Sequence, residues 1–199
     1  MQEGQLFVVS GPSGAGKGTL CKMLLEKKDG IALSVSVTTR RPRAKEIEGT
    51  SYYFISHQEF KSKIEAGEFL EYAQVYGNYY GTPAKTVFDT LKKGIDVILE
   101  IDPQGALQIK KSCNQGVFIF ILPPSMEELK RRLMVRGAED DAQMALRMNE
   151  AAQEISLIGE YDYCVINEEL TEAVDKISAI ITAERSRVSQ NIYEIVQKF

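Results

Sequence analysis

Residues 6–19 read L-F-V-V-S-G-P-S-G-A-G-K-G-T and join a short apolar run to a glycine-rich turn. An apolar run of this length that ends at a glycine is typical of a buried strand, and a helical stretch follows from about Lys17 to Lys28. The turn thus lies between a strand and a helix N-terminus, which is the context that a phosphate-binding turn requires. Glycines let backbone N–H groups close around phosphate, and the lysine adds a mobile positive charge. The pattern predicts a nucleoside triphosphate site.

The residues predicted to bind the triphosphate are those of the turn itself: Gly11, Pro12, Ser13, Gly14, Ala15, Gly16, Lys17, Gly18 and Thr19. Turns of this kind usually place Ser or Thr directly after the lysine, where its hydroxyl binds Mg²⁺. This chain has Gly18 there, and Thr19 is the nearest hydroxyl. The sequence leaves open which hydroxyl, if any, touches the metal. The alternative, an ordinary glycine-rich turn, is disfavoured by the lysine and by the flanking strand and helix.

Further apolar runs without alternation cover residues 97–101, 117–122 and 163–166. Strands of this kind are buried on both faces, so we expect a parallel sheet with helices on each side. Thr82 and Pro83 are predicted to be the N-cap and first residue of a helix, and a long helix is predicted from about Thr171 to near the C-terminus.

Composition excludes several classes of protein. The chain has 199 residues, 44% of them hydrophobic and 26% charged, which fits one globular domain. A net charge of −4 disfavours a general nucleic-acid or anionic-membrane binder, and no apolar run approaches the roughly 20 residues of a membrane span. Three scattered cysteines and one histidine disfavour a disulfide framework or a structural zinc site, so we expect a cytoplasmic protein.

A second anion site is predicted at residues 38–43, T-T-R-R-P-R, where three arginines fall within four positions. Guanidinium forks match phosphate oxygens in a bidentate way, and the hydroxyls of Tyr52, Tyr80 and Thr82 lie downstream to supplement them. The alternative is a solvated basic loop beside aromatic core residues. The aromatic-rich region around it resembles a small mixed insert in the α/β core.

Eight segments, in order along the chain, resemble the guanylate kinase family: GPSGAGKGT (11–19), SVSVTTRRPR (34–43), YYF (52–54), FLEYA (69–73), GNYYGT (77–82), LEIDPQG (99–105), RRLMVRG (131–137) and EYDYCVIN (160–167). Members of that family phosphorylate GMP with ATP and Mg²⁺. The resemblance implies a three-layer α/β fold of the P-loop NTPase type, with a parallel sheet and helices on both faces. It divides the single domain of residues 1–199 into a core (1–33, 83–134, 148–199), a mixed α/β GMP-binding insert (about 34–82) and a short lid (about 135–147).

The resemblance also assigns roles to single residues. It implies that Lys17, Arg136 and Arg147 are catalytic, the two arginines folding from the lid over the ATP phosphates, and that Asn167 meets the adenine. It places the GMP phosphate on Arg40, Arg43, Tyr52 and Tyr80, and the guanine on Ser36, Glu71, Thr82 and Asp102. It places Mg²⁺ near Thr19 and Glu100, where the family more often has Asp than Glu.

The chemistry of guanine supports the role of Glu71 independently. The Watson–Crick edge of guanine offers adjacent N1–H and N2–H donors, which one carboxylate accepts together, and adenine offers no such pair. Leaving the carboxylate unpaired in a closed site is costly, so we expect a sharp choice of base.

Two other functions compete with ATP–GMP transfer. A non-catalytic guanylate-kinase-like module would bind a protein partner, but such modules typically lack the intact Gly16-Lys17 pair found here. A kinase of the same fold for another phosphorylated acceptor is disfavoured by Tyr52, Glu71 and Asp102. The expected partners are the small molecules ATP and GMP, with no nucleic acid and no membrane, and the sequence leaves the oligomeric state open.

Overall fold

A computed structural model of the chain describes residues 3–75, 77–113, 116–136, 141–188 and 196. Its centre is a sheet of five parallel strands. From one edge to the other these are β2 (Ile31–Leu33), β7 (Asp96–Glu100), β1 (Leu6–Ser10), β8 (Val117–Leu122) and β9 (Tyr163–Ile166). The first strand of the chain is therefore the middle of the sheet.

Helices connect the strands and cover the sheet. Within the described residues they are α1 (Lys17–Lys27), α2 (His57–Glu65), α3 (Ala84–Leu91), α4 (Pro103–Ser112), α5 (Met126–Arg136), α6 (Asp141–Ile155) and α7 (Leu170–Arg185). A short 3₁₀ helix covers Ser156–Glu160.

The alternation of side chains along β1 defines the three layers. Phe7 and Val9 point to one face of the sheet, where they join a buried cluster with residues of α1 and α7. Leu6 and Val8 point to the other face and join a second cluster with residues of α3 and α4. Because successive strand residues face opposite sides, an all-apolar strand needs helices on both. The predicted α/β sandwich follows directly from this arrangement.

A second, smaller sheet lies within residues 37–83. Its strands, in spatial order, are β4 (Tyr53–Phe54), β3 (Val37–Thr38), β6 (Asn78–Pro83) and β5 (Phe69–Val75). The β3–β4 pair is parallel and the other two pairs are antiparallel. Phe60 of α2 is fully buried against this sheet, with its ring stacked on Phe69 at 4.5 Å and on Tyr79 at 5.2 Å.

Most core strands match the sequence prediction, and three of them have the predicted bounds. Strand β7 covers Asp96–Glu100 instead of the predicted residues 97–101, and β2 was not predicted. Asp96 is buried at a strand start because its carboxylate accepts a hydrogen bond from the backbone N–H of Gln5 at 2.9 Å and pairs with Arg185 at 2.7 Å. Both partners are distant in sequence, so no local pattern indicates them.

The predicted helix start at Thr82 and Pro83 is wrong. Both residues end β6, and α3 begins at Ala84. The Thr82 hydroxyl does not cap the helix, since it donates to the carboxylate of Glu71 on the neighbouring strand at 2.6 Å. Pairing with β5 therefore prevails over the local capping signal.

The boundaries of the core, insert and lid stay predictions. Four residues of the predicted lid, 137–140, lie outside the described residues. The last helix was predicted to run from about Thr171 to near the C-terminus, but α7 ends at Arg185, where Ser186 caps it. Most of the chain after residue 188 lies outside the described residues. In the part of the chain that the structure describes, no helix is both long and apolar enough to cross a membrane.

The burial of β1 gives a first prediction, on stability. Replacing Phe7, which is fully buried, with alanine (Phe7→Ala) is expected to lower the free energy of unfolding by about 3–5 kcal/mol, because it leaves a cavity between β1 and α1. Phe88→Ala on α3 is the matched control: its ring is 41% exposed, so the loss should stay below about 1 kcal/mol. Urea denaturation followed by circular dichroism measures both, and equal losses would contradict the layer assignment.

Candidate functional site

The glycine-rich turn has a backbone that only glycine adopts easily. Gly11, Gly14 and Gly16 have φ values of 139°, 91° and 95°. Neighbouring atoms also exclude side chains there: a Cβ on Gly11 would lie 2.3 Å from the carbonyl oxygen of Ile121, and one on Gly16 would lie 2.3 Å from Nδ2 of Asn167. The turn is therefore fixed by contacts from β8 and from the end of β9 as well as by its own sequence.

Lys17 begins α1, and its side chain folds back into the turn. Its Nζ donates to the backbone carbonyl of Gly11 at 2.5 Å and to that of Pro12 at 3.1 Å. Burial lowers the pKa of Lys17, and the carboxylate of Glu100 opposes that shift. The ammonium is thus held at the mouth of a backbone cradle whose N–H groups and helix N-terminus favour anions.

Position 18, where this kind of turn usually carries a hydroxyl, lies against a carboxylate. A Cβ on Gly18 would come within 3.3 Å of both carboxylate oxygens of Glu100, which ends β7. Glu100 and Asp102 line the same cleft as Lys17, whereas Thr19 is exposed and is not among the lining residues. No group of three or more His, Cys, Asp or Glu close enough to hold a metal occurs among the described residues.

Asn167, which follows β9, and Arg132, on α5, hold the turn in place by hydrogen bonds. The amide Nδ2 of Asn167 donates to the carbonyl of Ala15 at 2.7 Å, and the side chain is 1% exposed, with its Oδ1 buried and unpaired. Arg132 of α5 donates to the backbone carbonyl of Asn167 at 3.0 Å and to the carboxylate of Glu128 at 2.7 Å. Arg132 therefore connects α5 to the turn. Its position in the sequence, next to Arg131, does not indicate this contact.

The second predicted anion site is assembled around Arg40. Its guanidinium lies 5.5 Å from the ring centre of Tyr52, and the Tyr80 hydroxyl lies near enough to raise the pKa of Arg40, although less than Glu46 does. The rings of Tyr52 and Tyr80 meet edge to face at 6.1 Å. Burial raises the pKa of Tyr52, and the carboxylate of Glu100, at the end of β7, raises it further.

Sequence reasoning missed Glu46, which pairs with this cluster. Its two oxygens accept from Arg40 at 2.7 and 3.0 Å in a bidentate ion pair, and one of them also accepts from the backbone N–H of Arg43 at 2.8 Å. The hydrogen bond from Arg40 lowers the pKa of Glu46. The Arg43 side chain is exposed, and Ser36 joins the region through its backbone carbonyl, which accepts from Tyr53 at 2.9 Å.

Glu71 lies opposite Thr82 on the paired strands β5 and β6 and is 5% exposed. The Thr82 hydroxyl donates to its Oε1 at 2.6 Å. Burial, with a smaller contribution from the nearby Asp102, raises the pKa of Glu71 to about 7 against the opposing effect of Thr82. Asp102 itself is the N-cap of α4 and accepts from the backbone N–H of Gly105 at 2.8 Å. The structure thus brings together three of the four residues that the resemblance assigns to guanine.

A cleft of about 860 Å³ joins the turn to α6 and β5. Arg147, Glu150 and Glu154 of α6 line it, opposite Lys17 and Asp102. Burial raises the pKa of Glu154, and Lys17 and the nearby backbone N–H of Ser13 oppose that shift. Arg136 ends α5, and its side chain lies outside the described residues.

Comparisons with known proteins find matches that cover nearly the whole chain. The family model described as guanylate kinase matches residues 3–184. The guanylate kinase of Clostridioides difficile (strain 630) is 52% identical over 199 residues, which are 100% of this chain and 97% of that protein. The guanylate kinase of Clostridium acetobutylicum is 56% identical over 189 residues, which are 95% of this chain and 90% of that protein.

The crystal structure of guanylate kinase from Anaplasma phagocytophilum superposes with a TM-score of 0.82 at 39% identity, over 98% of this chain and 95% of that chain. The predicted fold class, a parallel sheet flanked by helices as in P-loop kinases, is confirmed by this match. From the family match, the full-length relatives and the shared fold, the chain belongs to the guanylate kinase family of nucleoside monophosphate kinases.

Proposed function

We propose that this chain transfers the γ-phosphoryl group of ATP to GMP, giving ADP and GDP, with the residue roles described below. The observation that carries the proposal is the position of Asp102. It lines the cleft with Lys17, and it lies close enough to Glu71 to raise the pKa of that carboxyl. One carboxylate therefore connects a triphosphate cradle to a guanine-reading group, which is what direct transfer between the two nucleotides requires.

ATP is assigned to the glycine-rich turn, residues 11–19. Its phosphates accept from the backbone N–H groups, and Lys17 turns from the carbonyls of Gly11 and Pro12 towards the outer phosphates. The N–H of Ser13, which lies near the Glu154 carboxylate, is one of these donors. Asn167, held behind the turn by Ala15, is the proposed contact for the adenine.

GMP is assigned to the second sheet. Arg40, Tyr52 and Tyr80 already form a cluster that fits one phosphate, and Arg43 completes it. Glu46 accepts two hydrogen bonds from the Arg40 guanidinium, so the GMP phosphate must displace the Glu46 carboxylate. The guanine edge is read by Glu71 together with Thr82, Asp102 and Ser36.

Transfer needs charge stabilisation and exclusion of water, and the chain supplies both. The acceptor phosphate oxygen of GMP is already charged, so no catalytic base is required. Arg147 lines the cleft from α6, and we assign it and Arg136, at the end of α5, to covering the phosphates when the predicted lid, residues 135–147, closes. The core and insert keep the predicted boundaries in this proposal.

Magnesium fits the donor atoms at the end of β7. Mg²⁺ binds proteins through one or two carboxylates and keeps several waters, and Glu100 and Asp102, at and just after the end of β7, line the cleft with Lys17. Glu100 is the better candidate because it lies against Gly18, whereas the exposed Thr19 would have to reach in from outside the cleft. When bound, Mg²⁺ would neutralise phosphate charge. Location in the cytoplasm, with no nucleic-acid or membrane partner, stays part of the proposal.

The decisive test is a coupled assay of ADP release with ATP, Mg²⁺ and one of four acceptors: GMP, dGMP, AMP or IMP. GMP should be the best acceptor, AMP should be inactive, and IMP should fall well below GMP because it lacks the 2-amino donor. A non-catalytic binding module would release no ADP with any acceptor. A preference for AMP would instead assign the chain to another monophosphate.

Lys17→Ala should lower kcat by at least about 10²–10³-fold, because it removes the ammonium group proposed to stabilise the negative charge of the phosphoryl group during transfer. Binding of GMP, measured by calorimetry, should change less than about twofold, since Lys17 is not at the acceptor end. Lys22→Ala is the matched control, because Lys22 is exposed on the same helix. Normal turnover in Lys17→Ala would overturn the role assigned to the turn.

Binding of GMP should weaken as the pH falls below 7. The pKa of Glu71 is raised to about 7, and only its ionised form accepts both guanine donors, so the competent fraction at pH 6 is about one tenth. The dissociation constant should therefore rise about tenfold between pH 8 and pH 6. Glu71→Gln removes this titration, while any contribution from the GMP phosphate itself remains in both proteins. An identical pH dependence in the two proteins would contradict the assignment.

A further inference from the structure

Helix α4 presents one face to the strand that carries Glu71. Asp102, Gly105 and Gln108 are spaced three residues apart, so they lie on the same side of the helix. Asp102 caps the first turn, and the other two contact β5 directly at Glu71 and at its neighbour Tyr72. Neither Gly105 nor Gln108 has a role in the function proposed above.

Gly105 leaves space for the Glu71 carboxylate. A Cβ at position 105 would lie 2.7 Å from Oε2, 3.2 Å from Cδ and 3.5 Å from Cγ of Glu71. The carboxylate has no easy way to move aside, because it is 5% exposed and its other oxygen is bonded to Thr82 at 2.6 Å. Glycine is otherwise unfavourable within a helix, so the close approach gives a physical reason for its presence.

Gln108 holds the backbone next to Glu71. Its Nε2 donates to the carbonyl of Tyr72 at 2.9 Å, and its Oε1 accepts from the Tyr72 N–H at 3.2 Å. Strand β5 is an edge of the second sheet, so its outer backbone groups have no further strand to pair with. One side-chain amide thereby satisfies both groups of a single residue and ties the second sheet to a helix of the core.

We propose that Gly105 and Gln108 are positioning residues that set the selectivity for guanine, an inference that rests on the proposed function. Gln108 fixes the position of β5 along α4, and Gly105 lets the Glu71 carboxylate lie against the helix in the orientation that accepts two donors. Two parallel acceptors tolerate little displacement, since a shift of about 1 Å breaks one of the two hydrogen bonds. Selectivity for the 2-amino group of GMP thus depends on a helix that does not touch the base.

The test uses Gly105→Ala and Gln108→Ala in the full chain. Dissociation constants for GMP and IMP are measured by calorimetry, and kcat is measured at saturating GMP. Both variants should bind GMP about tenfold more weakly, and their preference for GMP over IMP should fall at least about threefold, because one charge-assisted hydrogen bond is lost. The kcat value should change less than about twofold, since the transfer machinery is untouched.

Matched controls separate positioning from general destabilisation. Gly159→Ala adds the same methyl group where nothing lies within 4 Å, and Gln58→Ala removes an exposed amide on α2. Both should match the original protein in affinity and in preference. Thermal melting shows whether each variant folds. If Gly105→Ala does not fold, Gln108→Ala alone decides, and an unchanged preference in a folded Gln108→Ala overturns the proposal.

A double-mutant cycle with Glu71→Ala identifies the mechanism. Removing the side chain beyond Cβ also removes the three atoms that would lie nearest to the new methyl group, so Gly105→Ala should change GMP affinity less than about twofold in that background. Equal effects of Gly105→Ala with and without Glu71 would overturn the inference. If the original protein itself binds no GMP, the proposed function fails first, and that outcome is distinct from any failure among the variants.

Discussion

Val9 of β1 lies opposite Glu100 of β7 and Ile119 of β8, and this parallel register is the constraint on which the site depends. Parallel strands in register end at the same edge of the sheet, so the turn after β1 and the carboxylate that ends β7 meet there. The same register brings the carbonyl of Ile121 against Gly11. Neither the backbone cradle nor the carboxylate beside Lys17 would be in place if either strand slipped by one residue, because every side chain would then change face.

Both predicted anion sites contain a carboxylate of the protein itself. Glu46 accepts two hydrogen bonds from the Arg40 guanidinium, and Glu154 lies near Lys17 and the N–H of Ser13 in the turn. Concentrated positive charge and aligned N–H groups are costly to leave without an anion, and a tethered carboxylate satisfies them. In the proposed function, each substrate phosphate competes with a carboxylate of the protein, so its affinity reflects an exchange of anions and not the filling of a bare cationic site.

Local patterns predicted the parts of the fold and site that are local in sequence. The turn at residues 11–19 and the apolar strands could be identified because spacing and composition within about ten residues determine them. Glu46 and Arg132 were missed because their roles depend on partners that only the folded chain brings near. Thr82 shows the limit of a local rule: its helix-start pattern is genuine, but pairing with β5 and a bond to Glu71 prevail. The roles of Glu71 and Asn167 came from family resemblance, since a single carboxylate or amide carries no distinctive spacing.

Strands β2 and β7 are neighbours in the main sheet, although the whole second sheet lies between them in the chain. The segment that holds the proposed acceptor site therefore leaves and re-enters the scaffold next to a single strand pair. Exchanging it for a segment of another length or composition would leave the order of the central strands unchanged. The architecture is thus suited to evolution by exchange of this segment. A new segment could bind a different acceptor, while the glycine-rich turn proposed to bind the donor stays unchanged. The contacts between α4 and β5 restrict which segments could be exchanged, because a new segment would have to form equivalent contacts with that helix.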